Sequence, residues 1–234
     1  MVFEGSLPEL IIFDCDGVLV DSEPIAIGVL LGIAAAAGVP ISEAEAYRHF
    51  VGRSMASVRA VLAEKFGFRF GDLHLDQMRA ALYRRLRQEL KPMPGIGEAL
   101  RRLPMHCCVA SSSDPERIRL SLEVTGLLEL LHPHLYSASM VSRGKPEPDL
   151  FLHAARDMGV APAACIVVED SPAGVEAAKR AGMRVFAFTG GSHSVRGGLP
   201  AALAALEPDL LFDDMRDLPD LIAAGRVAGR KAGI

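Results

Sequence analysis

The stretch LIIFDCDGVLVDSE, Leu10 to Glu23, decides the fold because it joins an apolar run to closely spaced acids. The run from Leu10 to Asp14 predicts a short strand covered on both faces, since such strands read as continuous apolar segments. Asp14 and Asp16 stand at its end. Unpaired carboxylates at the end of a buried strand must be solvated, protonated or bound to a cation. The stretch therefore predicts a sheet strand that ends in a charged site.

The composition is that of a globular chain with a small negative charge. Its 234 residues are 50% hydrophobic, include no Trp, and carry a formal net charge of −4. This charge gives no electrostatic reason to expect nucleic acid as a partner. No C-x-x-C pattern or disulfide framework joins the four cysteines, which are Cys15, Cys107, Cys108 and Cys165. We therefore expect reduced thiols and a cytoplasmic protein.

An uncharged segment from Ile25 to Ile41, IAIGVLLGIAAAAGVPI, raises the question of a membrane span. Pro24 is expected to open a helix here, and Gly38 with Pro40 to close it. About fourteen residues then rise about 21 Å, whereas a span needs about 20 residues for a core of about 30 Å. We therefore expect no membrane insertion. The helix should be buried against its own domain, a second domain or a partner subunit, in a monomer or weak homodimer.

The pattern along the chain changes from purely helical to alternating. From Pro24 to about Glu89 the apolar spacing predicts only helices, one of which is expected to begin with Ser54 as its N-cap. The prolines and glycines of KPMPGIG, residues 91–97, then mark a turn or linker. Beyond it, strand-like runs alternate with helices. The predicted strands are MHCCVASS, HLYSAS, ACIVVED, MRVFAFT and DLLFDD, and the predicted helices lie near 95–103, 114–125, 148–158, 171–181 and 215–224.

This alternation predicts an α/β fold in which right-handed crossovers build a mainly parallel, Rossmann-like sheet. The first strand belongs to the same sheet, so the helical block is expected to be an inserted cap domain. The predicted division is a catalytic core of residues 1–22 and 91–225, a helical cap of residues 23–90, and a flexible tail of residues 226–234. Asp21 and the following Ser-Glu-Pro are expected to mark the exit from core to cap.

Polar clusters stand where four of these elements end. They are D-x-D-G after LIIF, SSSD after CCVA, ED-S after CIVV, and a G-K-P loop. Ligands of open parallel sheets bind beyond the carboxyl ends of the strands. Two carboxylates about 4 Å apart repel by roughly 4 kcal/mol at an effective dielectric of 20, and a hard cation such as Mg²⁺ relieves this. With Lys145 and the N–H groups after Ser111 as an anion site, the pattern predicts phosphoryl transfer.

These motifs, FDCDGVLVDSE, VASSS, GKPEPD and VVEDSPAG, resemble in order and separation the four motifs of the haloacid dehalogenase-like superfamily. The resemblance covers nearly the whole chain and implies a Rossmann-like core with its active site under the cap. It implies that Asp14 is the nucleophile that becomes an aspartyl-phosphate. It also implies that Asp16 acts first as general acid and then as general base. The dehalogenase branch lacks an acid at this second position, so Asp16 indicates phosphate chemistry.

The same resemblance implies the ligands of the phosphate and the metal. Ser111 and the Ser112 N–H would bind the phosphoryl group, and Lys145 would neutralise it and the nucleophile. Mg²⁺ would be held by Asp14, the Asp16 carbonyl and Asp170. Glu169 would contribute directly or through another ligand.

The cap motif bears on the choice between phosphatase and mutase. Hexose-phosphate mutases of this branch carry a His and cap Lys and Arg residues, where this chain has Ala26, Val51 and Met55. The expected substrate is therefore a small phosphate ester, a sugar or sugar-acid phosphate that the enzyme hydrolyses. A β-phosphoglucomutase-type mutase and a non-catalytic binding protein remain the alternatives. Gly52, Arg53 and Ser54 form the candidate substrate loop of the cap, although a solvated Arg53 is an equal interpretation.

Three other polar groups lie outside these motifs. His132 and His134 flank a proline in a loop, where turn chemistry explains them. Asp213 and Asp214 continue an apolar strand, and the family gives these acids no role. His193 follows a strand at the same end of the sheet as the motifs and is a candidate for the rim of the site, although a loop residue without a role is the other interpretation.

Overall fold

Six parallel strands form the centre of the molecule. The structure is a computed structural model and describes residues 8–51 and 55–228. The strands are β1 (Leu10–Phe13), β2 (His106–Ser111), β3 (Leu135–Ser137), β4 (Cys165–Glu169), β5 (Arg184–Phe188) and β6 (Leu210–Phe212). They make one sheet in the order β3-β2-β1-β4-β5-β6. The order reverses direction on either side of β1, and such a switch point is where open α/β sheets bind ligands.

The register places the ends of the central strands side by side. Phe13 of β1 is paired with Val109 of β2 on one side and with Val168 of β4 on the other. Residues just beyond Phe13 and Val168 therefore emerge together. The acids of the first motif and those after CIVV consequently share one edge of the sheet, as the sequence predicted.

Side chains of the strands alternate between two cores, as the period of two in a strand requires. Ile11, Phe13 and Val168 belong to one core, whereas Ile12 and Val167 belong to the other. Helices cover both faces, so the middle of each central strand is apolar on both sides. The core helices are α5 (Ile96–Arg102), α6 (Pro115–Val124), α7 (Leu128–Leu131), α8 (Asp149–Asp157), α9 (Pro172–Arg180), α10 (Leu199–Ala204) and α11 (Leu218–Ala228).

Four helices lie between β1 and α5 along the chain and form the inserted cap. They are α1 (Glu23–Ala36), α2 (Glu43–Phe50), α3 (Met55–Phe66) and α4 (Asp72–Glu89). The apolar helix α1 packs mainly against α4. Its residues Ile25, Ile27 and Leu30 are buried. The cap itself therefore covers most of this helix, which answers the question that its lack of charge raised.

The two chain segments that join cap and core pair with each other. The Asp21 N–H donates to the Lys91 carbonyl (3.0 Å), and the Met93 N–H donates to the Leu19 carbonyl (2.9 Å). The exit predicted at Asp21 is therefore where the chain crosses to the cap. The exact boundaries 22/23 and 90/91 stay a prediction.

The mainly parallel sheet with a helical insertion is confirmed, and the five predicted core helices are present. Helices α7 and α10 were not predicted, since α7 has four residues and α10 begins at a Leu-Pro pair in an alanine-rich run. Helix α11 runs to Ala228, residues 229–234 lie outside the described residues, and the flexible tail of residues 226–234 stays a prediction. The predicted N-cap Ser54 also lies outside them.

No helix within residues 8–51 and 55–228 has both the length and the apolar character needed to cross a membrane.

Two leucines of α4 provide a test of the cap core. Leu86 is fully buried, whereas Leu73 is 69% exposed on the same helix. We expect Leu86→Ala to lower the free energy of unfolding by about 2–5 kcal/mol, because it leaves a cavity. Leu73→Ala should change it by less than about 0.5 kcal/mol. Urea unfolding of both variants measures the difference, and equal effects would contradict the assigned burial.

Candidate active site

The site lies in a cavity of about 550 Å³ between the carboxyl edge of the sheet and the cap. The cavity is lined from the core by residues of all four sequence motifs and from the cap by α4 and the end of α2. The core residues that were predicted as functional and line it are Asp14, Asp16, Ser111, Ser112, Lys145, Glu169 and Asp170. The fold therefore brings together residues that are up to 156 positions apart along the chain, Asp14 and Asp170 being the extremes.

Lys145 joins the first and last motifs through its ammonium group. Its Nζ donates to Asp14 Oδ1 (2.6 Å), to Glu169 Oε1 (2.6 Å) and to the Ala110 carbonyl (3.1 Å). Only 4% of the Lys145 side chain is exposed. Burial by itself lowers the pKa of this ammonium, but the two carboxylates outweigh it and raise the pKa above its usual value. Lys145 therefore remains a cation at any physiological pH.

The negative charge around Asp14 exceeds the single positive charge of Lys145. Burial raises the pKa of its carboxyl well above the usual value; Lys145 opposes this rise, and Glu169 and Asp170 add to it. Three carboxylates thus face one ammonium in a space that excludes most water. A further cation would relieve the repulsion and keep Asp14 ionised.

Glu169 is fully occupied by neighbouring donors. Its Oε2 accepts from the N–H (2.8 Å) and the hydroxyl (2.9 Å) of Ser171, while its Oε1 accepts from Lys145. A Cβ on Gly174 would stand 1.8 Å from Glu169 Oε1, so the glycine of VVEDSPAG leaves the space that this carboxylate fills. Glu169 therefore holds Lys145 and the start of α9 in place, and its contribution to a metal site, direct or through another ligand, stays a prediction.

Asp170 lies against the backbone of the first motif. Gly17 has φ +80°, and a Cβ there would stand 1.9 Å from Asp170 Oδ2. This glycine is needed both for its left-handed conformation and for the close approach. The Asp170 carboxylate is thereby brought beside the Asp16–Gly17 backbone, close to Asp14.

His193, a candidate for the rim, lines the cavity but is buried, with 1% of its surface exposed. Its Nε2 lies 2.9 Å from Asp170 Oδ2, at ion-pair distance, although the ring N–H does not point at the carboxylate. Burial lowers the pKa of His193, and the contact with Asp170 outweighs this and raises it. The residue fits under the Gly17 turn because both Gly17 and Gly191 lack a side chain.

The oxygen donors near Asp14 fit a magnesium ion. No three His, Cys, Asp or Glu side chains in the described part of the chain form a complete metal cage. Mg²⁺ does not require one, because it usually keeps several waters and takes one or two carboxylates. Asp14 and Asp170 supply two carboxylates that repel each other, and the Asp16–Gly17 backbone lies directly beside Asp170. The donor set is thus hard, anionic and incomplete, as this ion prefers.

Asp16 is held by three donors. Its Oδ1 accepts from the Ser22 hydroxyl (2.5 Å) and from Arg117 Nη2 (2.7 Å), and its Oδ2 accepts from the Ser113 hydroxyl (2.6 Å). Burial alone raises the pKa of Asp16, but Arg117 and the serine hydroxyls reverse this and lower it. The carboxylate is thus fixed in orientation beside Asp14, two residues away on the same chain.

The VASSS motif supplies hydroxyl and N–H groups at the end of β2. Ser111 is buried, and its hydroxyl accepts from the Ser113 N–H (3.1 Å). Ser112 is exposed to the cavity. The Ser137 hydroxyl donates to the Ser113 carbonyl (2.7 Å) and so stabilises the turn that follows β2. Both predicted phosphate-binding serines therefore face the same cavity as Asp14.

The cap contributes a mostly apolar wall. Its lining residues are Phe50, Val51, Met55, Leu75, Met78, Leu82, Arg79 and Tyr83. Arg79 and Tyr83, together with Glu23 at the start of α1, are the polar residues among the described cap residues that line the cavity. The predicted loop Gly52, Arg53 and Ser54 lies outside the described residues, so its contribution stays a prediction.

Sequence reasoning missed Arg117, Tyr83 and Glu23 as site residues. Arg117 follows Asp114 by three positions, one helical turn, and so shares its face of α6; this spacing was the available signal. Tyr83 reaches the core only because α4 crosses the cavity. Glu23 stood in the quoted motif but was interpreted as part of the exit to the cap, which it also is, since α1 begins there.

Comparisons with known proteins agree with this geometry. The family model of haloacid dehalogenase-like hydrolases matches residues 8–182. A 6-phosphogluconate phosphatase of Escherichia coli is 30% identical over 187 residues, which are 80% of this chain and 85% of that protein. A haloacid dehalogenase-like protein of Agrobacterium tumefaciens superposes with a TM-score of 0.83 at 39% identity, over 92% of this chain and 98% of the other. A hydrolase of the same family from Deinococcus radiodurans, solved with phosphate and sodium, superposes with a TM-score of 0.79 at 31% identity, over 94% of this chain and 98% of the other.

Glu23 gives the site a dependence on pH that can be measured as stability. Burial, and secondarily the charges of Asp16 and Asp170, raise the pKa of Glu23 from 4.5 to about 7, while His193 opposes this. A raised carboxyl pKa means that the folded state binds more protons, so the contribution of Glu23 to stability falls as pH rises from about 4.5 to about 7 and is then constant.

In metal-free protein we therefore expect Glu23→Gln to remove this decline. The two proteins should differ little at pH 4.5, and the variant should be the more stable at pH 8, by on the order of 2–3 kcal/mol. Urea unfolding at several pH values measures the difference between the proteins. A constant difference across this range would show that Glu23 titrates normally.

Proposed function

Because this chain belongs to the haloacid dehalogenase-like hydrolases and is a phosphoric monoester hydrolase, we propose that it hydrolyses a small phosphorylated metabolite, a sugar or sugar-acid phosphate, with Mg²⁺ and through an aspartyl-phosphate on Asp14. The observation that carries the proposal is the convergence of Asp14, Asp16 and Lys145 in one cavity with Ser111.

The first step transfers the phosphoryl group to Asp14. An Oδ of Asp14 bonds to phosphorus as the ester P–O bond breaks, and the departing oxygen takes a proton from Asp16. Asp16 stands two residues further on, so it reaches the leaving group from the same strand end. Arg117 lowers the pKa of Asp16, and the negative charge of the phosphate acts in the opposite direction.

The second step returns the enzyme to its starting state. Asp16, now ionised, takes a proton from water, and the water oxygen bonds to phosphorus as the bond to Asp14 breaks. Inorganic phosphate leaves and Asp14 is a free carboxylate again. A carboxylate nucleophile therefore divides one difficult hydrolysis into two easier displacements.

The groups around Asp14 would provide electrostatic stabilisation in both steps. Lys145, the Ser111 hydroxyl and the Ser112 N–H would contact the phosphoryl oxygens, where negative charge is greatest. Asp14, Asp170 and the Asp16 carbonyl would hold Mg²⁺. When bound, the ion neutralises phosphoryl oxygens as a Lewis acid. Glu169 would orient Lys145 without contacting the substrate.

The proposed substrate class follows from the shape of the cavity and from the relatives. Its volume suits a small metabolite, and its polar half surrounds Asp14 whereas its cap wall is mostly apolar. The E. coli relative is a 6-phosphogluconate phosphatase. Val51 and Met55 line the cavity with apolar side chains where a mutase of this branch carries cations, which favours hydrolysis. A cytoplasmic monomer or weak homodimer remains the proposed form of the protein.

Replacing the nucleophile tests the reaction. We expect Asp14→Asn to lower phosphate release from 6-phosphogluconate, phosphoglycolate and glucose 6-phosphate by about 10³-fold or more, since an amide forms no phosphoenzyme. Asp21→Asn, a change of another acid in the same motif, should retain activity because Asp21 contacts Ser192 and not Lys145. Acid-quenched wild-type enzyme should carry one phosphoryl group on the Asp14 peptide. Equal phosphate release by both variants would refute the proposal, and isomerised product without phosphate release would indicate a mutase.

Removing the metal tests the proposed ion. Chelation should abolish turnover and added Mg²⁺ should restore it. We expect Asp170→Asn to raise the Mg²⁺ concentration needed for half-maximal activity at least about tenfold, because it removes a charged ligand. Asp213→Asn, at the same edge of the sheet but exposed, is the matched control. Activity that survives chelation undiminished would exclude Mg²⁺ dependence.

A further inference from the structure

The cap contacts the core close to Asp16 at the Asp114 carboxylate, and Arg79 Nη2 also lies 3.5 Å from Glu116 Oε2. The Tyr83 hydroxyl of α4 donates to Asp114 Oδ1 (2.8 Å), and Arg79 Nη2 lies 3.5 Å from Asp114 Oδ2. Both cap side chains line the cavity. Arg79 also lies over the Tyr83 ring at 5.7 Å, which keeps the two together. Asp114 is therefore the core residue that two polar residues of this cap wall share.

Asp114 is also the N-cap of α6. Its Oδ1 accepts from the Arg117 N–H (2.9 Å), so the oxygen that receives the Tyr83 hydroxyl also fixes the first turn of the helix. A change in the position of this carboxylate consequently changes the position of the first turn.

The first turn of α6 in turn holds Asp16. Ser113, next to Asp114, donates to Asp16 Oδ2, and the Arg117 guanidinium donates to Asp16 Oδ1. The Arg117 Nε is buried without a hydrogen-bond partner, and the guanidinium pairs with Asp16 through Nη2 (2.7 Å). Two of the three donors to Asp16 thus come from the first turn of α6 and from the residue just before its N-cap.

We propose that Tyr83, Asp114 and Arg117 form a relay in which contact between the cap and the first turn of α6 positions Asp16 for proton transfer. This inference rests on the proposed function, since it assigns Asp16 the proton transfer to the leaving group. The three are positioning residues that act through Asp16. Loss of the Tyr83 hydroxyl should loosen the turn and misplace Asp16 without altering Asp14 or the metal ligands.

Leaving-group dependence separates this role from a merely structural one. An alkyl phosphate needs a proton on its departing oxygen, whereas p-nitrophenyl phosphate releases a stable anion and needs little help. The value of kcat/KM covers the steps up to the release of the alcohol or phenol. The ratio of kcat/KM for 6-phosphogluconate, or for the best alkyl ester of the panel above, to that for p-nitrophenyl phosphate therefore reports on the acid.

We expect Tyr83→Phe to lower this ratio about tenfold, and Arg117→Met to lower it at least as much, with Arg117→Lys partly restoring it. Two matched controls should leave the ratio within about twofold of wild type. Arg119→Met removes an arginine of the same helix that pairs with Glu123 at the surface. Glu43→Gln breaks a different contact between cap and core, the exposed pair with Arg196 (2.9 Å).

The outcomes separate a failure of the relay from a failure of the proposed acid role of Asp16. The relay would be overturned if Tyr83→Phe lowered kcat/KM equally for both substrates, or left their ratio unchanged or raised it, while Asp16→Asn still lowered the ratio. A loss with Glu43→Gln as large as with Tyr83→Phe would also overturn it, because any weakening of the cap would then have the same effect. An unchanged ratio in Asp16→Asn would refute the acid role in the proposed function, and the relay with it. Melting temperatures show whether Arg117→Met folds; Tyr83→Phe, which removes one atom, tests the relay independently of it.

Discussion

The ion cluster of Lys145, Asp14 and Glu169 is the interaction on which the arrangement of this site depends. Burying an unpaired carboxylate is costly, and here acids from two neighbouring strands emerge at the same edge. One ammonium bridges them and is anchored to the backbone at Ala110. These contacts hold the ends of β1, β2 and β4 and the loop of Lys145 together. It also leaves an excess of negative charge, which makes the same point suitable for a divalent cation and a phosphate.

Close packing around that cluster is achieved with glycines. Gly17 admits the Asp170 carboxylate and the His193 ring, and Gly174 admits Glu169. In each case a single methyl group would occupy the place of a carboxylate oxygen. The glycines of the motifs therefore do more than permit turns, because they let backbone and carboxylate approach each other closely.

The cap gives the site its second half and bears on its chemistry in two ways. Its apolar wall closes the cavity opposite the charged cluster, so that electrostatic interactions within it are less screened by water. Its contact with Asp114 lies one helical turn from the donors that hold Asp16. The chain segment that leaves the core for the cap supplies another of these donors, Ser22. The next residue, Glu23, lines the cavity. The connection between the two parts is thus built from residues that also belong to the site.

The sequence by itself determined the parallel sheet, the helical insertion and the residues of the four motifs. Apolar runs, glycines and prolines record local preferences, and the carboxyl ends of parallel strands must share an edge. It placed His193 on the correct side of the sheet but not in the interior. Only the tertiary structure decided that His193 lies buried against Asp170, that Glu169 faces Lys145, and that Tyr83 and Arg117 reach Asp114 and Asp16. These contacts depend on how α4, α6 and the loop after β5 pack across the sheet, and no local pattern of residues encodes the direction of a side chain between distant elements.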